Sequence, residues 1–489
     1  MEEGAGAGRH GTLGLAPLMP PRGPGPGTEA WGGGGRVARP RSAFVCAGCG
    51  HESARWMGRC PGCGEWNTMA VAPDPPAGGG AAAEPAVARL LRDVAPLEGE
   101  RLASGVGEFD RVLGGGIVPG SLILLGGDPG VGKSTLLLQV AGRMGCGRPI
   151  LYVSGEESVA QMRTRAERLG ALAPHLLVAA ESGTDRVEAL CERHRPALAI
   201  LDSVQTMRHP DCPLPPGSPV QIREVAAALL QLAKERGVPV VLVGHVTKAG
   251  LLAGPRLLEH AVDVVLLFEG ERFSPFRILR ALKNRFGSTQ EIGVFAMEGA
   301  GLREVADPSQ ILLAERAAGV PGSVVTVTLE GRRPLLCEVQ ALLAPPSFGT
   351  ARRTAAGIET ARLALLLAVL ERRARLRCSH LDAYLKVAGG VRLEEPAADL
   401  ACALALASAL TDRPVPGDTA VCGELGLGGE VRGVPRLGER LAEARRLGFR
   451  RAVVPPGALA EAPSGLEIRA VRSVAEALSA VLGAGAAEL

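Results

Sequence analysis

From about residue 100 to residue 285 the chain repeats one pattern. A short run of consecutive apolar residues meets one or two small or charged residues, and a stretch with helical spacing follows. The runs are Leu122–Leu125, Ile150–Val153, Ala197–Leu201 and Val238–Gly244. Apolar runs without polar alternation predict strands buried on both faces, as in a parallel sheet covered by helices. Strand and helix in alternation predict βαβ units and an α/β core. Each run ends in candidate chemistry, at the strand end where such sheets bind ligands.

The first run leads into Gly126 and then Gly127-Asp128-Pro129-Gly130-Val131-Gly132-Lys133-Ser134-Thr135, before a helix that begins near Leu136. Strand, glycine-rich loop and helix in that order form a phosphate cradle: backbone N–H groups turn inward and the helix N-terminus adds its dipole. Lys133 can reach the β- and γ-phosphates, and the Ser134 hydroxyl can hold Mg²⁺. The chain is therefore expected to bind a nucleoside triphosphate.

The second run ends at Ser154-Gly155-Glu156-Glu157-Ser158. Ser154 and Glu157 have capping-box spacing ahead of a helix expected to run to Leu169. That leaves Glu156 as the free carboxylate, either a general base that orients the attacking water or an ordinary exposed glutamate. The third run ends in Asp202, placed to bind Mg²⁺ as the Walker B acid. The fourth ends in His245, a structural histidine or a γ-phosphate sensor. Beyond it, Lys248 and Arg256 flank a Gly-rich stretch that is either a nucleic-acid loop or a solvated connection. Lys283 and Arg285 close the last strand pattern and project from one side if the strand persists. They fit a phosphate, or a neighbouring subunit's nucleotide in the manner of an arginine finger, against the plainer reading of an exposed basic strand end.

Outside this core, residues 1–42 are Gly- and Pro-rich and are expected to be disordered. Residues 43–70 hold Cys46-x-x-Cys49 and Cys60-x-x-Cys63, each embedded in Cys-x-Gly-Cys-Gly. Two such knuckles predict a closed Cys₄ zinc site that folds the module, with a redox dithiol or an iron–sulfur centre as rivals. Residues 71–88 read as a linker, 89–305 as the ATPase domain and 306–489 as a further domain.

Composition narrows the picture. The formal net charge of +3 is nearly neutral, so any polyanion site is a local patch. With aromatics at 3% the cores must be built from Ala, Val and Leu. No signal-peptide pattern precedes them, and the longest apolar run, Leu400–Leu410, is too short to span a bilayer, so a cytoplasmic protein with reduced thiols and no membrane partner is expected. Among 54 basic residues only Lys133, Lys234, Lys248, Lys283 and Lys386 are lysines, which draws attention to the positions that keep a compact ammonium.

These motifs, with Leu113-Gly114-Gly115-Gly116-Ile117-Val118-Pro119-Gly120-Ser121, Asp202-Ser203-Val204-Gln205-Thr206-Met207, Gly244-His245-Val246-Thr247-Lys248 and Lys283-Asn284-Arg285-Phe286-Gly287, resemble the bacterial RadA (Sms) family of RecA-superfamily DNA-repair proteins. The resemblance implies a zinc ribbon, a RecA-like P-loop core with a mainly parallel sheet, and a C-terminal Lon-protease-like α+β domain. It further implies a hexameric ATPase, stimulated by DNA, that translocates on single-stranded DNA and drives branch migration beside the recombinase RecA. Lys283 and Arg285 match the pair that such proteins extend to ATP across the subunit interface. The protease likeness stops at its chemistry: Glu395-Pro396-Ala397-Ala398-Asp399 has Ala397 where the nucleophilic serine belongs, and Gly438 stands near the place of the lysine base. A scaffold rather than a protease is expected.

Overall fold

The computed structural model describes residues 44–46, 51–71, 90, 101–145, 147–244, 257–270, 276–317, 319–346, 349, 351–457 and 463–483. Cys49, His245, Lys248 and Arg256, with residues 1–43 and all but Leu90 of the stretch 72–100, lie outside the described residues.

Strands β1 (Phe44–Cys46), β2 (Glu52–Ser53) and β3 (Met69–Val71) form an antiparallel ribbon in the order β2-β1-β3. Its buried cluster is Cys46, Cys60 and Met69 with Phe44 against them, too little apolar surface to hold a module of this size without another cross-link.

The second unit follows the alternating pattern. In chain order it comprises α1 (Gly107–Leu113), β4 (Leu122–Gly127), α2 (Lys133–Arg143), β5 (Ile150–Ser154), α3 (Val159–Arg168), β6 (Leu176–Ala180), α4 (Thr184–His194) and β7 (Leu198–Asp202). It continues with α5 (Pro219–Arg236), β8 (Val240–Val243), α6 (Leu257–Ala261), β9 (Val264–Glu269), β10 (Phe276–Asn284), β11 (Ile292–Glu298) and β12 (Gly301–Glu304). The strand order is β12-β11-β10-β9-β4-β8-β7-β5-β6, parallel from β9 to β6 and antiparallel from β9 to β12. Every residue of β4, β5, β7 and β8 is buried, as continuous apolar runs require.

One local expectation is corrected. The N-cap of α3 is Ser158, not Ser154: Gln161 N–H donates to the Ser158 hydroxyl, and the Gln161 side chain accepts from Ser158 N–H. The Ser154 hydroxyl instead accepts from the N–H groups of Glu156 and Glu157, and Glu157 forms an ion pair with Arg165.

The third unit holds α7 (Pro308–Leu313), β13 (Ser323–Glu330), β14 (Arg333–Ala344), β15 (Arg353–Ala356), α8 (Thr360–Arg373), β16 (Asp382–Val387) and α9 (Asp399–Thr411). It ends with β17 (Thr419–Val421), β18 (Glu424–Leu425), β19 (Val431–Arg432), α10 (Leu437–Arg446), β20 (Arg451–Val454), β21 (Glu467–Ala470) and α11 (Val474–Leu482). Its mixed sheet runs β15-β16-β14-β13-β17-β20-β21 around α9, whose residues Asp399–Ser408 are all buried.

The second and third units share a core. In β11, Ile292, Val294 and Ala296 pack with Val324, Val339 and Leu363 of the third unit, whereas Phe295 among them packs into a core of the second unit. Strand periodicity thus gives β11 one face for each unit. Charged groups cross the same border: Glu108 pairs with Arg333 at 2.7 Å, and Arg280 bridges Glu269 at 2.6 Å and Glu330 at 3.2 Å. No helix among the described residues is long and apolar enough to cross a membrane.

Candidate active site

The glycine loop closes against a neighbouring strand. A Cβ on Gly127 would lie 2.3 Å from the Phe268 carbonyl oxygen of β9, so only glycine fits where the loop leaves β4. Gly132 takes a left-handed conformation (φ 114°) that sends the chain straight into α2. Asp128, Pro129 and Gly130 are exposed at the rim and Val131 is buried beneath them, while Ser134 and Thr135 sit half-buried in the first turn of α2.

Lys133 is buried at the start of α2 and its ammonium donates to Gly127 O at 2.7 Å and Asp128 O at 3.0 Å. Burial lowers its pKa, while Asp202, Asp128 and Glu156, in that order, pull it back up. Asp202 ends β7 and joins Ser203 through a cis peptide. The Tyr152 hydroxyl of β5 donates to Asp202 Oδ2 at 2.7 Å, and the Ser203 hydroxyl donates to Glu156 Oε1 at 2.5 Å. Burial, and then Asp202, pushes the Tyr152 phenol well above its ordinary pKa, which keeps it a donor. The Ser134 hydroxyl and the Asp202 carboxylate are hard oxygen donors beside a phosphate loop, a set that suits Mg²⁺.

Lys283 and Arg285 lie at the opposite edge of the sheet. Strand β10 ends at Asn284 with a register shift between Ala281 and Lys283, and Asn284 pairs with Val264 at the start of β9. Arg285 N–H donates to Asp263 O, and Asp263 N–H donates to Leu122 O at the start of β4. From Leu122 to Gly127 the strand rises about 17 Å. Both side chains converge on one connection all the same: the Lys283 ammonium donates to Glu259 O and Val262 O at 2.7 Å, and the Arg285 guanidinium pairs with Asp263 at 3.3 Å. Asp263 also pairs with Lys234 at 2.9 Å; burial raises its pKa, but Lys234, Leu122 N–H and Arg285 together hold it below the ordinary range. Within one chain, neither cation of the pair reaches the glycine loop.

In the ribbon, the sulfurs of Cys46, Cys60 and Cys63 lie within 4.8 Å of one another, and Cys46 Sγ is 3.7 Å from Cys63 Sγ. A tetrahedron of ~2.3 Å Zn–S bonds has edges of ~3.8 Å, so the three described thiols fit zinc; Cys49 lies outside the described residues. His51 is exposed. Purified protein is expected to carry about one zinc per chain and Cys46→Ser to lose most of it, as elemental analysis would report; unchanged zinc would reject a thiolate site.

Where a Lon-type dyad would stand, the third unit carries an ion pair between buried Arg440 and half-buried Glu395. Ala397 lies buried in a single 3₁₀ turn (Pro396–Ala398), and Gly438 lies in the first turn of α10. Arg440, with no exposed surface, makes two 2.6 Å bonds to the Glu395 carboxylate and donates to Val327 O and Pro435 O. Burial raises the Glu395 pKa, but Arg440 and Leu329 N–H outweigh it and the net shift is downward. Sequence reading missed this pair, although Glu395 precedes Ala397 by two positions and Arg440 follows Gly438 by two. Removing Glu395 strands the fully buried Arg440 guanidinium, so Glu395→Leu is expected to cost about 3–5 kcal/mol, and the double change with Arg440→Met to recover much of it. Hydrogen exchange in α9 and β13 would measure both, and additive losses would refute the coupling.

Arg353 donates to the carbonyls of Arg352, Ser379 and Leu381 and braces that turn. Cys191, Cys337, Cys378, Cys402 and Cys422 are buried core thiols, and Cys212 is half-buried.

Three family models match the chain: an AAA domain over residues 107–250, a rubredoxin metal binding domain over 44–70, and the Lon protease (S16) C-terminal proteolytic domain over 377–483. The DNA repair protein RadA of Bacillus subtilis (strain 168) is 50% identical over 457 residues, covering 91% of this chain and 100% of that protein. Its counterpart in Halalkalibacterium halodurans is 47% identical over 460 residues, with the same coverage of both chains. The RadA of Streptococcus pyogenes serotype M1 is 48% identical over 451 residues, again with 91% and 100% covered.

Proposed function

The chain belongs to the RadA family of DNA repair proteins, and from that membership we propose that it is a DNA-stimulated ATPase that moves on single-stranded and branched DNA and promotes branch migration beside RecA. The observation that carries the hydrolytic part is the buried Lys133 ammonium, held by Gly127 O and Asp128 O where the glycine loop leaves β4 and lying in the field of Asp202, Asp128 and Glu156.

In this reading the residues Gly127–Thr135 hold the triphosphate of ATP, with Lys133 against its outer phosphates. Ser134 and Asp202 hold Mg²⁺, which when bound neutralises phosphate charge. Glu156, held by the Ser203 hydroxyl, orients water and takes its proton. His245, which follows β8 in the chain, senses the γ-phosphate, and Lys248 and Arg256 contact the DNA backbone together with the Lys283–Arg285 end of the sheet. In a homohexameric ring, Lys283 and Arg285 of one subunit face the nucleotide of the next. Their position at the sheet edge remote from their own glycine loop supports a role across a subunit boundary. Ala397 offers no hydroxyl nucleophile, which supports a scaffold rather than a protease for the third unit.

ATP turnover measured with and without single-stranded DNA tests the reading. Stimulation that falls with rising salt is expected, because phosphate contacts release counterions. Turnover indifferent to any polynucleotide at low ionic strength would overturn the motor, and absent turnover would overturn the ATPase.

A further inference from the structure

The hydrolytic centre contains a buried hydroxyl that the reading above does not use. The chain has two tyrosines, and Tyr152 is one of them. It sits in β5 between Leu151 and Val153, and it ranks with the largest fully buried side chains of the molecule. Strand pairing puts Tyr152 opposite Ile200 and Ser154 opposite Asp202. Tyr152 and Asp202 are therefore diagonal neighbours on one face, within reach of a long side chain. The phenol closes the gap with a 2.7 Å bond to Oδ2 of Asp202, its one hydrogen-bond partner among the described residues. A leucine or phenylalanine would fill the same space without leaving a buried hydroxyl to satisfy.

The terminal torsion of an aspartate is soft and roughly two-fold, so an unanchored carboxylate can turn. Here the carboxylate and the buried Lys133 ammonium attract each other. A charge-assisted bond from a rigid aromatic donor on a neighbouring strand removes that freedom. We propose that Tyr152 is a positioning residue for Asp202: the phenol fixes Oδ2, and with it the plane of the carboxylate, so that the other oxygen stands ready for the magnesium ion that accompanies a nucleoside triphosphate. This inference rests on the nucleotide reading above and names the residue that sets the metal requirement of the same site. It mirrors the second hydroxyl–carboxylate bond there, from Ser203 to Glu156.

The test is equilibrium binding of a fluorescent ATP analogue by the full chain, titrated with MgCl₂ and repeated in EDTA. Tyr152→Phe removes one oxygen and keeps the ring. It is expected to raise the Mg²⁺ concentration for half-maximal tightening roughly tenfold, the scale of a hydrogen bond to a charged group. Metal-free affinity is expected to stay at the wild-type value, and the melting temperature to fall only by the few degrees that one lost buried hydrogen bond accounts for. In an Asp202→Asn background the same change is expected to add little, because the two residues act as one unit. An unchanged Mg²⁺ requirement in Tyr152→Phe would overturn the proposal and leave the nucleotide reading standing. Failure of the wild type to bind the analogue at all would instead remove the premise. Should Tyr152→Phe fold poorly, ¹⁹F NMR of the 3-fluorotyrosine-labelled wild type decides, with Tyr384→Phe assigning its two resonances. A Tyr152 resonance that moves when Mg²⁺ is added to the nucleotide-loaded protein supports the proposal, and one that stays still overturns it.

Discussion

Replacing Lys133 with alanine is expected to lower DNA-stimulated ATP turnover by roughly a hundred- to a thousand-fold, the scale of removing one preorganised charge at a transition state. The expectation comes from where the ammonium sits. It is buried at the first residue of α2, held between the carbonyls of Gly127 and Asp128, in the field of Asp202, Asp128 and Glu156. Burial lowers its pKa, so those carboxylates, and in the proposed complex the phosphates, keep it charged. Alanine removes the charge and leaves three carboxylates to repel a polyphosphate. Arginine is expected to do little better: a planar fork is larger than a site bounded by two loop carbonyls 2.7 and 3.0 Å from the nitrogen. Binding of labelled ATP and turnover with and without single-stranded DNA would measure the loss, and the melting temperature would show that the fold survives. Turnover that persists in Lys133→Ala would reject the glycine loop as the phosphate site.

The parts of this centre that sequence made legible are local. A glycine loop between an apolar run and a helix specifies its own conformation, because few residues other than glycine tolerate the backbone at Gly127 and Gly132. Asp202 was legible because a buried strand must end somewhere, and an acid at its C-terminal end faces the ligand edge. The cysteine knuckles were legible because their spacing fixes where the thiolates point. What escaped depends on contacts between segments far apart in the chain. Ser154-x-x-Glu157 and Ser158-x-x-Gln161 are overlapping capping patterns, and the structure uses the second. Glu157 is drawn to Arg165 instead, while Glu156 turns to Ser203, 47 residues away. Tyr152 read as one more apolar residue, since nothing local shows that β5 lies beside β7. The packing of the second unit against the third was hidden because both faces of β11 are apolar, each for a different core.

Mixing two inactive variants is expected to restore activity, which would place each hydrolytic site between two subunits. Lys283→Ala alone is expected to lose most DNA-stimulated turnover, although Lys283 lies at the sheet edge remote from its own glycine loop. In a head-to-tail ring each interface takes its glycine loop from one subunit and its Lys283–Arg285 end from the next. A Lys133→Ala subunit keeps an intact Lys283, and a Lys283→Ala subunit keeps an intact loop. In an equal random mixture the loop comes from the intact source half the time and the lysine likewise, so about a quarter of the interfaces are complete. Turnover is then expected to rise from the background to a substantial fraction of that quarter. If both residues served one site within a chain, every site in the mixture would lack one of them and no turnover would return. The ground state adds a reason for regulation here. Lys283 caps the carbonyls of Glu259 and Val262, and Arg285 pairs with Asp263, which Lys234 also holds. Reaching a neighbour's phosphates means exchanging those contacts, and Asp263 keeps Lys234 as a partner when Arg285 leaves. Asp263→Asn is accordingly expected to loosen Arg285 and raise turnover in the absence of DNA, a gain that the Lys283→Ala background would abolish if the pair acts together.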